Sequence, residues 1–180
     1  MLTRKLLLPF AILLGCQVVL AAVTFGVGDA MFDPPWIMST LVEESYLQSQ
    51  PPHILMTLAE DIRFGLRNVG AATQGIAFGA ALAWILYCAW FSPRMPGQAR
   101  RGMFVWIFLL VGGLSLAAAF VGRAFVIESF FGNMREDRLP FVGVSLLCLY
   151  VLSFYVFGTL VATRRTIRTA VPAASLIFTR

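Results

Sequence analysis

The side chains best suited to chemistry are three carboxylates within residues 123–138, which read RAFVIESFFGNMREDR. Carboxylates that share a site can act as general acid and general base when their surroundings push their pKa values apart. One hypothesis is therefore a membrane enzyme that uses these three acids. Arginines are interleaved with them, however, and such groups usually form solvated ion pairs worth at most about 1 kcal/mol. The alternative is a polar docking face for an outer partner or ligand, made of Glu128, Arg135, Glu136, Asp137 and Arg138.

Two classes of small four-helix membrane enzyme have features that bear on this stretch. Lipoprotein signal peptidases carry a Gly-Asn-x-x-Asp-Arg motif and a second catalytic aspartate farther along the chain. Residues 132–138, GNMREDR, resemble that motif superficially but contain one extra residue, and no aspartate follows Asp137. Quinone-linked disulfide oxidoreductases need cysteine pairs in outer loops, whereas Cys16, Cys88 and Cys148 fall inside apolar runs. Neither class fits, so we predict no catalytic residue.

The histidine content limits metal and haem chemistry. His53 is the only histidine, so haem ligation by two histidines of one chain is impossible and a histidine-based zinc site is not expected. The three cysteines are expected to be small apolar packing residues. We therefore predict neither a metal nor a cofactor.

The composition is that of a membrane protein. Of the 180 residues, 59% are hydrophobic and only 13% are charged, which is too apolar for an ordinary soluble domain. Four runs without a charged residue are each long enough for a helix that crosses about 30 Å of hydrocarbon. They lack the alternation that is typical of membrane β-strands. The prediction is an all-α integral membrane protein, a single domain with transmembrane helices at 6–28, 69–91, 102–122 and 139–163.

The charges predict the orientation of these helices. All nine acidic residues lie in segments 29–68 and 123–138, while the N-terminus, loop 92–101 and tail 164–180 contain basic residues and no acid. This positive-inside pattern predicts that both termini are cytoplasmic in a bacterial inner (plasma) membrane. It also accounts for the net charge of +5 without direct nucleic-acid binding. The tail arginines expected to contact anionic lipid are Arg164, Arg165 and Arg168.

The N-terminal stretch MLTRKLLLPFAILLGC resembles a bacterial lipoprotein signal, in which a cysteine is lipidated after cleavage. Cleavage before Cys16 would leave residues 17–28 as an apolar stub, whereas lipoproteins normally continue into a polar tether. Without cleavage, residues 6–28 form about 34 Å of helix, which matches the bilayer. We therefore expect an uncleaved anchor that runs from inside to outside.

The outer segment between the first two spans is predicted to be helical. Residues 33–36, DPPW, indicate a turn, and Thr40 with Glu43 fits a capping box for a short helix at 41–48. Apolar residues at three- and four-residue spacing predict an amphipathic helix at 53–67. This second helix either lies on the outer surface and caps the bundle, or continues without a break into the second span.

Small residues four apart indicate where membrane helices approach each other closely. The second span has the strongest such pattern, and these faces either pack within one bundle or meet another subunit. Gln17 lies at the middle of the first span, where an unpaired amide would cost free energy, so we expect it at a contact between helices or subunits. The predicted packing residues are Ala71, Gly75, Gly79, Ala83, Gly113, Ala117, Ala118, Gly122 and Gln17.

The leading hypothesis for function is non-enzymatic. The chain is predicted to be a subunit that oligomerises or scaffolds a larger inner-membrane complex, with membrane lipids, copies of itself or other membrane subunits as partners. The alternative is a small oligomeric pore, transporter or membrane-perturbing effector, with Gln17, Gln74 and Ser115 along a polar path. No Asp, Glu, Lys, Arg or His lies deep within a predicted span, which weakens proton-coupled transport. The enzyme hypothesis based on the outer carboxylates ranks third.

Overall fold

The computed structural model describes residues 34–90, 96–127 and 134–160, together with Gly132 and a few positions near the N-terminus. Within this part the chain is mostly helical and contains no strand, which confirms the all-α prediction. The described N-terminal positions are helical and fall within the predicted first span, most of which lies outside the described residues. The described N-terminal positions are Ala11, Leu14, Gly15, Gln17, Val18, Val19 and Ala22.

Three long helices form the body of the structure. They are α3 (Pro52–Trp90), α4 (Pro96–Ile127) and α5 (Leu139–Leu160), and each packs against the other two. By length and composition, Pro52–Cys88 and Arg101–Ile127 are able to cross a bilayer, while Leu139–Tyr155 is a shorter apolar helix. The first segment contains residues 69–88 of the predicted second span, and the second segment contains the whole predicted third span.

The amphipathic helix and the second span are one continuous helix, α3, of 39 residues and about 58 Å. This agrees with the second of the two placements that the sequence left open. Gly65 and Gly70 both lie inside this helix and are buried. A Cβ atom on Gly70 would lie 3.8 Å from Cδ2 of Leu146 in α5, so the glycine allows the two helices to approach closely.

Two short helices precede α3, and their bounds differ from the prediction. They are α1 (Pro34–Leu41) and α2 (Glu44–Ser49). The predicted turn at 33–36 and the predicted capping box were therefore wrong: Thr40 lies inside α1, and Glu43 precedes α2 without a side-chain capping bond. Proline is tolerated in the first helical turn, where its missing N–H has no intrahelical acceptor. Ile37 and Leu41, four residues apart, are both buried, and this burial favours helix over turn.

A hydrophobic cluster joins the two short helices to the first third of α3, and we call it the cap. Val42 pairs with Met134 in an isolated antiparallel bridge, and the N–H of Arg135 donates to the carbonyl of Leu41 at 2.8 Å. The segment after α4 is thereby held against the segment before α3. The buried residues of the cap are Ile37, Leu41, Val42, Leu58, Ala59, Ile62 and Met134.

A second cluster, which we call the central cluster, forms where the three long helices meet. Tyr150 and Phe154 of α5 are stacked, with ring centroids 6.1 Å apart, and Phe154 also contacts Trp106 of α4 at 5.5 Å. This aromatic layer connects α4 to α5, and α3 covers it with small and large apolar residues. The buried members are Ala77, Ala81, Trp84, Ile85, Trp106, Ala117, Tyr150 and Phe154.

Candidate interaction surfaces

The strongest small-residue pattern of the sequence lies on the exposed side of α3. Gly75, Gly79 and Ala83 are exposed, and we call these three residues the small-residue face. A Cβ atom built on either glycine would meet no atom within 4 Å. Ala71, at the end of the same row, is half-buried. Within the described part of the chain, these residues border open space rather than another helix.

The side of α3 that packs inside the structure carries other small residues. Ala77 and Ala81 are fully buried in the central cluster, and Thr73 is fully buried above them. The Thr73 hydroxyl donates to the Val69 carbonyl at 2.8 Å, so a polar side chain is accommodated without a partner on another helix. Sequence spacing did not single out this side, because small residues occur on nearly every side of α3 between residues 69 and 83.

Gly113 of α4 lies directly beneath an aromatic ring of α5. The Tyr150 hydroxyl donates to the Leu109 carbonyl at 2.9 Å and fills the space above Gly113. Of the other small residues predicted on α4, Ala117 is fully buried in the central cluster, whereas Ala118 and Gly122 are exposed. The α4–α5 contact therefore uses two of the four predicted residues. Sequence reasoning did not identify Tyr150, Trp106 or Phe154 as packing residues, although large aromatic residues in an apolar run are a usual signal.

The exposed sides of α4 and α5 include many large apolar residues, and α4 also exposes small residues such as Gly112, Ser115 and Gly122. Most of these large side chains are more than half exposed. Side chains of this size are suited to contact with lipid tails, since lipid is as apolar as they are. Those more than half exposed are Phe104, Phe108, Val111, Leu116, Val126 and Ile127 on α4, and Phe141, Val144 and Leu152 on α5.

The described part of the predicted outer docking face is an exposed ion-pair group. Arg135 Nε lies 3.2 Å from Asp137 Oδ1, and Arg138 Nε lies 3.5 Å from Asp137 Oδ2. Glu136 is exposed beside them, and Glu128 lies outside the described residues. Both carboxylate oxygens of Asp137 are thus engaged by arginine. Among the described residues no cluster of His, Cys, Asp or Glu is arranged to hold a metal ion.

The remaining predicted residues are spread over the chain. Gln17 is half-buried, and its Oε1 atom is buried without a hydrogen-bond partner. Gln74 is buried inside the structure, whereas Ser115 is exposed and donates to the Val111 carbonyl at 2.9 Å. Gln74 and Ser115 therefore do not share a surface. Cys88 is half-buried and Cys148 is exposed, while Cys16, Arg164, Arg165 and Arg168 lie outside the described residues.

Comparison with protein-family models, with curated proteins and with solved structures gives no match.

Proposed function

We propose that this chain is a four-span integral membrane subunit of a bacterial inner membrane, with both termini in the cytoplasm. It associates with another transmembrane helix, in a second copy or another membrane subunit, through the small-residue face of α3. Its role is to oligomerise or to scaffold a larger complex, and it carries no catalytic site. The described helices α3, α4 and α5 provide three of the spans, and residues 6–28 provide the first.

One observation carries this proposal: Gly75, Gly79 and Ala83 form a row of exposed small residues at four-residue spacing inside the predicted second span. Within the described part of the chain, a Cβ atom on either glycine would meet no atom within 4 Å, whereas much of the exposed surface of α4 and α5 is made of large residues such as Phe108 (75% exposed) and Phe141 (69% exposed). Helix association in a bilayer gains little from the hydrophobic effect and depends on close packing. Small side chains allow such packing, and a helix side that faces only lipid has no need of them. The small-residue face of α3 is therefore suited to close contact with another helix.

The geometry of the face also suits a helix crossing. Gly75, Gly79 and Ala83 follow one another at four-residue steps, so the face extends about 12 Å along the helix. It contains no charged residue and lies well inside the predicted second span. Two glycines one turn apart allow backbones to approach closely, as in the small-xxx-small pairs of membrane helices.

The experiment compares two glycine-to-leucine variants of the full chain. Gly79→Leu fills the small-residue face, and Gly112→Leu fills an equally open glycine position on α4. Association is measured in lipid nanodiscs and in mild detergent by native mass spectrometry and by energy transfer between labelled copies. We expect the wild type and Gly112→Leu to associate, and Gly79→Leu to associate at least about tenfold more weakly, a loss of about 1.4 kcal/mol. A wild type that is strictly monomeric and carries no co-purifying membrane subunit contradicts the proposal.

A further inference from the structure

The end of α4 that contains Arg101 has positive charge without carboxylates to balance it. Arg100 and Arg101 follow the first turn of the helix, which begins at Pro96. The sequence contains no acidic residue between Asp61 and Glu128 and none after Asp137. Neither α4 nor α5 can therefore supply a carboxylate to Arg101, whose side chain is exposed. The partial positive charge of the helix N-terminus adds to the attraction for an anion.

A stripe of exposed residues runs from this charged end along one side of α4. Arg101, Phe104, Phe108 and Val111 follow at three- and four-residue steps, which places them on one side of the helix. Phe104 is 57% exposed, Phe108 is 75% exposed and Val111 is 53% exposed. The stripe thus combines a guanidinium group at one end with an apolar strip about two turns long.

We propose that this stripe binds an anionic phospholipid. The Arg101 guanidinium donates paired hydrogen bonds to the phosphate oxygens, a geometry that suits arginine better than lysine. The acyl chains lie along Phe104, Phe108 and Val111, where large apolar side chains give contact area. The inference rests on the proposed insertion of α4 in the bilayer but not on the proposed association through α3.

Charge complementarity decides between this occupant and a second copy of the chain. The cytoplasmic segments of the sequence carry Arg94, Arg100 and Arg101 in one loop and four arginines in the tail, with no acid. A second copy would bring further arginines to the same membrane depth and repel the first. Anionic headgroups at the inner leaflet have the opposite sign and attract basic residues near the membrane surface.

The same helix supplies a matched control. Arg123 is also exposed and lies about six turns farther along α4. It is on nearly the same side of the helix as Arg101 but at the opposite end. It is followed in sequence by Glu128, Glu136 and Asp137, whereas no acidic residue lies within 25 residues of Arg101. The two arginines therefore separate a general effect of positive charge on α4 from the specific site at Arg101.

The test measures lipid retention by the full chain in native mass spectra, from mixed micelles that contain phosphatidylglycerol or phosphatidylcholine. We expect the wild type to retain phosphatidylglycerol preferentially, and Arg101→Gln to lower that retention about tenfold, as for the loss of a charged hydrogen-bonded pair. Arg101→Lys should retain part of the preference, and Arg123→Gln should change retention less than about twofold. Because Arg101 is exposed, each variant is expected to fold, and its melting temperature checks this.

Three outcomes overturn the proposal. The first is equal retention of the two lipids by the wild type. The second is an Arg101→Gln variant that keeps the preference. The third is displacement of phosphatidylglycerol by millimolar inorganic phosphate or by a short oligonucleotide, which would identify a headgroup-independent anion site. The same spectra report the oligomeric state, so lipid retention by a monomer would leave this proposal standing while contradicting association through α3.

Discussion

The hydroxyl of Tyr150 in α5 occupies the space that a side chain on Gly113 of α4 would need. The ring atoms of Tyr150 also approach that position, and the hydroxyl is held there by its 2.9 Å bond to the Leu109 carbonyl. A carbonyl of α4, one turn before Gly113, is thus paired with α5. The absence of a side chain at Gly113 leaves the space that the Tyr150 hydroxyl and ring occupy.

Gly113→Ala is expected to destabilise the protein by about 1–3 kcal/mol, because the new methyl group overlaps the fully buried side chain of Tyr150. The neighbouring Gly112→Ala, which meets open space, is the control and should change stability by less than about 0.5 kcal/mol. Unfolding in detergent by denaturant titration measures both. Equal stability of the two variants would show that α4 and α5 are farther apart than described.

Tyr150→Phe should cost about 0.6 kcal/mol, the average for a hydrogen bond between membrane helices. In the Gly113→Ala background the same change should cost less or become stabilising, because removal of the hydroxyl relieves the closest overlap. The double-mutant cycle is read from the same titrations. Additive effects would contradict the direct contact, since residues that touch are expected to couple.

Met134→Ala should loosen the cap. Met134 is 2% exposed and connects the segment after α4 to the cap. Truncation of its side chain leaves a cavity, which is expected to lower the free energy of unfolding by about 2–4 kcal/mol. Hydrogen exchange is expected to rise at the Arg135 amide and in α1, and less in the central cluster. Met56→Ala is the control, because Met56 is 53% exposed and should leave exchange unchanged. A uniform rise along all helices would show that the cap is not a separate cooperative unit.

Asp137→Asn should change stability by less than about 1 kcal/mol, and the change should shrink further at high salt. Both arginines that contact Asp137 are more than 40% exposed, so water and ions screen these pairs. Thermal melts at two ionic strengths measure the effect. A loss above about 2 kcal/mol would show that the ion-pair group is buried by a partner or by another part of the chain.

Single-cysteine variants test the placement of α5 against lipid. In detergent-free membranes, Cys148 is expected to react much more slowly with a charged maleimide than it does after denaturation in sodium dodecyl sulfate, because it is exposed on an apolar helix and maleimides react with the thiolate, which forms in water. Cys88 is half-buried between helices and should likewise react only after denaturation. Reaction of Cys148 at the same rate before and after denaturation would place α5 in water.

The all-helical fold and the position of the long helices could be predicted from the sequence because they depend on local properties. Apolar runs without charge must be helical if they enter a bilayer, and a span is expected to end where the next charged or proline-containing segment begins. The predicted fourth span begins at Leu139, the same residue as α5. The start of α1 was missed because Pro34-Pro35 resembles a turn locally, whereas the burial of Ile37 and Leu41 comes from contacts with α3.

The sequence by itself determined the helical class, the long apolar segments and the segregation of acidic from basic residues. Only the tertiary structure decided which small residues face a neighbouring helix. Ala77 and Ala81 are buried while Gly75 and Gly79 are open, although all four lie within two turns of α3. In a helix that is rich in small residues, pairs of small residues four apart occur on every side. Which of these sides is buried depends on where α4 and α5 pack. That choice is made by distant residues such as Tyr150 and Trp106, whose contacts do not appear in any local pattern.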